Sequence, residues 1–352
     1  MDRTRILLVT EAFHPTVDAA TITTRHLADH LIASGADVQL ATMAPGLEVY
    51  RSSRVLRLRP LEALGPQIRT VLTGFRPDLV IVLGPRLLGR KALKHAQRLG
   101  IATVTIEHAR CKELSSDNWR RKVAERSDLL VTLTEAQAAT VTDLNPVCWR
   151  PGVDVDTFSP ARHDRALHDR WARASHPRGP RTVVGFVGDL TRPHRVRQLL
   201  EVAEIPDTEL VVIGAGRQRE WLRDRLPQTQ FLPPLASSDL AVAVASFDLL
   251  VHPSPALTAA HALRAAAASG VAIVGADVGG SAEVVRHLET GLLFESAAPG
   301  AFSDEVAALC AADRAALGAR ARELATRRTW SQASTELVEE HLAPLLGREL
   351  AA

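Results

Sequence analysis

Aromatic side chains make up only 4% of this 352-residue chain, so any core it buries has to be aliphatic, built from Ala, Leu and Val. Cysteine is scarce as well. Cys111, Cys148 and Cys310 are odd in number and far apart, which leaves neither a metal-ligand spacing nor a disulfide framework and points to isolated reduced thiols. The formal charge is only +2, and no aromatic residues interleave with the basic clusters, which excludes a nucleic-acid surface. Long apolar runs are missing too: no stretch approaches the roughly 18 residues that a membrane span needs. The apolar run in MDRTRILLVT ends at Glu11, and reads as a buried strand rather than a signal peptide. A cytoplasmic protein is expected, with membrane contact at most peripheral because its positive charge is dispersed.

What is present is a soluble-type composition, 46% hydrophobic and 23% charged, in a chain of comfortable length for two domains. Short β-branched runs alternate with amphipathic stretches from end to end. Strands are expected at Ile6–Thr10, Val38–Thr42, Val55–Leu58, Leu79–Leu83, Ala102–Ile106 and Leu129–Leu133, with a helix over Thr23–Ala33. The pattern restarts near Arg181, with strands at Thr182–Val187, Glu209–Ile213, Leu249–Val251 and Val271–Val274. Strands buried on both faces and separated by helices imply parallel, doubly wound sheets. The expected organisation is therefore an N-terminal Rossmann-like domain over residues 1–150, a Pro- and Arg-rich connection over 151–180 with a short helix around Ala166–Ala174, and a second Rossmann-like domain over 181–329. A C-terminal helical segment over 330–352 would cross back to the first domain. The fold class is α/β, two such domains facing a cleft, with ligands at the carboxyl ends of the strands.

Six segments carry candidate chemistry. EAFHPTVDAATITT, from Glu11 to Thr24, is the loop after the first strand, where Thr21, Thr23 and Thr24 are placed to cap the next helix. IEHAR puts Glu107 and His108 at the end of a strand, where a histidine can donate a hydrogen bond or shuttle a proton near neutral pH. PGVDVDTF joins the halves, its acids Asp154 and Asp156 reading as turn formers. VGFVGDLTRPHRVRQLL carries Gly188 and the cluster Arg192, His194 and Arg195, which reads either as a phosphate site or as a solvated basic helix start. ELVVIGAG ends in Gly214 and Gly216, a lone G-x-G that is weak as a nucleotide signal because the glycines can serve the turn alone. Last, Phe247–Phe294 holds Ser254, a helix beginning near Thr258, His261 on that helix, an Ala265–Ala268 run that reads as a face packed on the sheet, and Glu283.

Taken together, these segments resemble the family-4 retaining glycosyltransferases of the GT-B fold, GDP-mannose-dependent mannosyltransferase-like members among them, along nearly the whole chain. The resemblance implies a sugar transferred with retention from a nucleoside-diphosphate donor to a small-molecule acceptor, without a metal. No cofactor is expected, since the nucleotide-sugar would be a substrate. His108, Glu107 and His261 become the candidate acid–base groups. Gly188, Arg192, His194, Arg195, Gly214, Gly216, Ser254, Thr258 and Glu283 become the candidate donor and phosphate contacts. The same resemblance exposes departures: Asp189 and His194 stand where similar enzymes place an arginine and a lysine, and Leu257 and Ala265 where they place two glutamates. Much of the acceptor-binding segment after His108 is also missing.

Hydrogen bonds to charged groups contribute about 1.5–3 kcal/mol each, so four lost together amount to roughly 6–12 kcal/mol. A millimolar to micromolar ligand has about 4–8 kcal/mol in total. The site is therefore either rebuilt from Arg192, Arg195, His194 and His261 or no longer used for the usual donor. That keeps open a pseudo-glycosyltransferase catalysing a non-glycosidic coupling or rearrangement, and a non-catalytic protein that works with an active partner or as a homo-oligomer.

Overall fold

The computed structural model of the protein describes residues 3–14, 18–108, 111–173, 179–255 and 259–347. They form two compact units, Met1–Gly152 with Trp330–Ala352 and Val153–Thr329. Each has its own sheet.

In the first unit the strands are β1 Arg5–Thr10, β2 Asp37–Met43, β3 Val49–Tyr50, β4 Ser53–Leu58, β5 Leu79–Leu83, β6 Ala102–Ile106, β7 Leu129–Thr132 and β8 Val147–Cys148. They lie in the order β3-β4-β2-β1-β5-β6-β7-β8, and all pair in parallel except the β3–β4 hairpin at one edge. Successive side chains of a strand point to opposite faces, so β1 feeds two cores at once. Ile6 and Leu8 pack into one together with Leu27 and Leu31 of the helix Ala19–Ala33. Leu7 and Val9 pack into the other with Ile68, Leu88 and Leu93. That double burial is why the strand reads as a continuous apolar run.

The helix starts four residues before the predicted Thr23, because Asp18 caps it: its carboxylate accepts from the Thr21 N–H at 2.8 Å and the Thr21 hydroxyl at 2.7 Å. Thr23 and Thr24, expected as caps, instead sit inside the helix and give their hydroxyl protons to the Ala19 and Ala20 carbonyls. The tail returns to this unit as Trp330–Glu336, a π-helical stretch Leu337–Leu342, and Ala343–Leu346. Trp330, Ala333, Leu337, Val338 and Leu342 fill its core beside Trp149. The Trp149 indole donates to the Ala333 carbonyl at 2.7 Å, and the Trp330 ring stacks on His26 with centroids 4.4 Å apart.

The second unit contains β9 Thr182–Val187, β10 Thr208–Ile213, β11 Gln230–Leu232, β12 Leu249–His252, β13 Ala272–Ala276 and β14 Gly291–Phe294, all parallel, in the order β11-β10-β9-β12-β13-β14. Again one strand serves two cores: Val184 and Phe186 of β9 face one, Val183 the other. The segment expected as a connection contributes Trp171 and Ala172 to this unit's core, and its helix, Arg165–Trp171, is capped by Asp164. Asp154 is a turn former, accepting from the Thr157 N–H at 2.9 Å and the Thr157 hydroxyl at 2.6 Å. No helix of the described residues is long and apolar enough to cross a membrane.

Candidate functional site

In both sheets the strand order reverses direction beside the first strand of the unit, between β1 and β5 and between β9 and β12. Loops leaving neighbouring strands diverge at such a point and open a crevice at the carboxyl ends. The sequence-predicted residues that the structure describes fall into two sets, Glu107 and His108 in the first unit and Gly188, Arg192, His194, Arg195, Gly214, Gly216, Ser254, His261 and Glu283 in the second.

In the first unit the loop after β1 carries Glu11, which sequence reasoning passed over. Its carboxylate accepts the backbone N–H groups of Arg86 at 2.9 Å, Leu88 at 3.2 Å and Gly89 at 3.0 Å. These open the helix Leu87–Arg98, so the positive end of that helix is already neutralised from within the protein. The one signal available in the sequence was an acid directly after a buried strand.

Glu107 is 2% exposed and its carboxylate accepts from the Trp119 indole at 2.7 Å, while its carbonyl takes the Gln137 amide at 3.3 Å. It holds the helix Asp117–Lys122 under the sheet end. His108 follows, next to Gly84, with its Nδ1 3.4 Å from the Ile106 carbonyl. Its Nε2 is screened from solvent and has no partner among the described residues. Residues 109 and 110 lie outside the described residues. Burial pushes the His108 imidazole down to about 4 against the opposing pull of the Ile106 carbonyl and Asp18. Its neutral form, with the proton on Nδ1, offers Nε2 as a lone-pair acceptor.

In the second unit Gly188, Gly214 and Gly216 come together where β9 and β10 end. A Cβ added at Gly214, whose φ is +155°, would fall 1.9 Å from the Gly188 carbonyl oxygen, and one at Gly216, φ +152°, 2.3 Å from the Leu190 oxygen. Leu190 donates to the Ala215 carbonyl at 2.8 Å and accepts from the Gln218 N–H at 2.9 Å. The two glycines thus let the segments after β9 and β10 run against each other, a packing reason that holds whether or not a nucleotide binds.

The basic cluster is less open than its sequence implies. Arg195 donates to the Ser296 carbonyl at 2.9 Å, and the His194 Nδ1 lies 2.7 Å from the Thr191 hydroxyl. Arg192 is exposed and makes no ion pair among the described residues. Burial lowers the His194 pKa, with Asp189 pulling the other way. Ser254 is fully buried in the loop after β12. His261 and Ala265 lie on the helix Ala259–Ala268, with Ala265 5% exposed and Ala266 and Ala267 packed in the core. Glu283 lies in the segment between β13 and β14, close to Ser281 and Gly279; the latter presses on the Pro255 carbonyl. Thr258 and Leu257 lie outside the described residues.

A second residue missed by sequence reasoning is His252, the last of β12. It is 1% exposed, packs against Phe186 with centroids 5.0 Å apart, and accepts from the Ser254 N–H at 3.4 Å through Nδ1. Burial and the nearby His194 push its pKa down to about 3. Among the described residues no group of three or more His, Cys, Asp or Glu side chains is placed to hold a metal ion.

These two imidazoles set a pH dependence of stability. Both folded-state pKa values, about 4 and about 3, lie below the ordinary 6.5, so between those limits the unfolded chain binds more protons than the folded one. Their contribution should therefore weaken stability as pH falls from 6.5 toward 4. Urea midpoints measured across that range should fall with pH, and the slope should shrink in His108→Phe.

Two largely parallel sheets of Rossmann type, each with polar side chains at its reversal point, define a two-domain α/β protein of GT-B architecture. Solved structures agree. The chain matches sucrose-phosphate synthase from Thermosynechococcus elongatus with a TM-score of 0.79 at 18% identity, over 98% of this chain and 100% of that one. It matches an Anabaena protein solved with UDP-glucose with a TM-score of 0.77 at 19% identity, over 96% and 99%.

By sequence, residues 20–157 match the model of glycosyltransferase family 4, and residues 181–312 match that of glycosyl transferases group 1. A GDP-mannose-dependent alpha-mannosyltransferase of Mycolicibacterium smegmatis is 31% identical over 99% of this chain and 100% of its own length. One from Mycobacterium tuberculosis is 29% identical over 96% of each. The chain belongs to glycosyltransferase family 4.

Proposed function

We propose that this protein, in the cytoplasm, transfers a mannosyl group from GDP-mannose to a small-molecule acceptor with retention of configuration. The observation that carries the reading is 31% identity to a GDP-mannose-dependent enzyme along the full length of both chains. His108, neutral and with its Nε2 unengaged by the described residues, is the group proposed to accept a hydrogen bond from the reacting sugar. Gly188 and Ser254, at the reversal point of the second sheet, are proposed to border the donor diphosphate, with Arg192 as the exposed guanidinium beside it. Asp189, His194, Leu257 and Ala265 make this a divergent donor site. Donor affinity is therefore expected to be modest, with a Kd of roughly 0.1–1 mM, or about 4–5.5 kcal/mol.

Titration calorimetry of the purified protein with GDP, GDP-mannose, UDP-glucose and dTDP-glucose tests this, followed by NMR of any product to read the anomeric configuration. Binding of GDP and GDP-mannose ahead of the others supports the proposal. Absence of binding to all four overturns it. The second reading, a pseudo-glycosyltransferase or non-catalytic partner, is favoured by one observation: of the two arginines offered as replacement charge, Arg195 is already drawn to the Ser296 carbonyl.

A further inference from the structure

We infer that His252 is a positioning residue that ties the loop after β9, which carries Gly188, to the loop after β12, which carries Ser254, across the reversal point of the second sheet. The inference rests on the reading of this site as the donor side of a glycosyltransferase.

β9 and β12 are paired only at Val184↔Leu249 and Gly185↔Leu250. Yet β9 continues to Val187 and β12 to His252. Two residues before either strand ends, the ladder between them has stopped, as the divergence at a reversal point requires. Backbone hydrogen bonds no longer fix the spacing of the two ends there. The His252 ring occupies the opening. Its face packs on Phe186, and a Cβ built on Gly188 would come 3.0 Å from its Nε2, so the ring lies directly against the Gly188 backbone.

The hydrogen-bond roles follow from the partners. The Ser254 N–H can only donate, so Nδ1 accepts and the ring proton resides on Nε2. From there it faces the backbone of the loop after β9 at Gly188, with the Val187 carbonyl drawing on the ring. One buried imidazole thus has an acceptor turned to one loop and a donor turned to the other. Burial keeps the ring neutral through the neutral range, and the Ser254 N–H sets which nitrogen carries the proton. A hydrocarbon of the same size would fill the opening without fixing either loop.

Two full-length variants separate these roles. In His252→Asn the shorter side chain can still accept the Ser254 N–H as an Asx turn, but it falls short of Val187 and Gly188. In His252→Gln the amide N–H sits at about the reach of Nε2. Amide hydrogen exchange should show residues 186–190 opening about tenfold more often in the Asn variant, while the Ser254 amide, flanked by two prolines, stays near wild type and Gln restores part of the difference. The donor KM should rise about fivefold to tenfold in the Asn variant, the factor expected from one lost net hydrogen bond, with kcat changing less than about twofold.

Unchanged exchange over 186–190 in the Asn variant overturns the inference. So does a loss of protection spread evenly through the second unit, since that marks plain destabilisation. A wild-type protein that turns over no nucleotide-sugar overturns the proposed function, and the exchange measurement still decides the role of His252.

Discussion

Gly214→Ala should lower the stability of the second unit by about 2–6 kcal/mol, the sum of overpacking and backbone strain. The added methyl would lie 1.9 Å from the Gly188 carbonyl oxygen, which is backbone, held beside β10 by the Gly188 N–H bond to the Ile213 carbonyl at 3.0 Å. The φ of +155° excludes an ordinary L-residue as well. Relief requires the segment after β9 to move away from the one after β10, and the expected readout is a lower urea midpoint together with weaker nucleotide binding. Gly35→Ala is the control. Its φ is +86° but nothing lies within 4 Å of the new Cβ, so it should show only the backbone part, about 1 kcal/mol. Equal losses in the two variants would mean that close approach is not what Gly214 provides.

Trp149→Ala should destabilise the first unit by about 3–5 kcal/mol, the usual range for removing a fully buried large aromatic. The residue is 0% exposed and packs among Trp330, Ala333 and Leu337. Its indole also satisfies the Ala333 carbonyl inside the tail helix. Trp149→Phe keeps most of the apolar area but loses the indole hydrogen bond, and should lose about 1–3 kcal/mol. Limited proteolysis gives the second readout: the tail over residues 330–347 should become cleavable in the Ala variant before the rest of the chain. A tail as resistant as in the wild type, despite a lower melting temperature, would show that Trp149 acts through the sheet alone.

The strands were legible wherever they are buried on both faces. LVIVL over Leu79–Leu83 and TVVGFV over Thr182–Val187 read correctly because continuous β-branched runs have no competing pattern. The short strands Val49–Tyr50, Val147–Cys148, Gln230–Leu232 and Gly291–Phe294 were not legible. They are two to four residues long, and sheet position rather than composition makes them strands. At the reversal points, residue types could be read but not their partners. Gly214 and Gly216 stood out as a pair, yet the atoms they must avoid belong to the segment after β9, more than twenty residues earlier. Glu11 depends on amides some 75 residues away, and His252 on a ladder that stops short. Thr23 and Thr24 looked like caps only because the true cap, Asp18, sits one turn earlier than the apolar pattern begins.

The interleaved chain path of the first unit has a consequence for biosynthesis. A ribosome releases residues 153–329 before 330–347, so the later unit is complete in sequence while the earlier one still lacks the residues that cover Trp149, Leu27 and Leu31. The common vectorial order, in which the N-terminal domain finishes first, is thereby inverted for this protein. Throughout that interval an apolar face of the nascent chain stays open, and it is there that a chaperone would find its purchase.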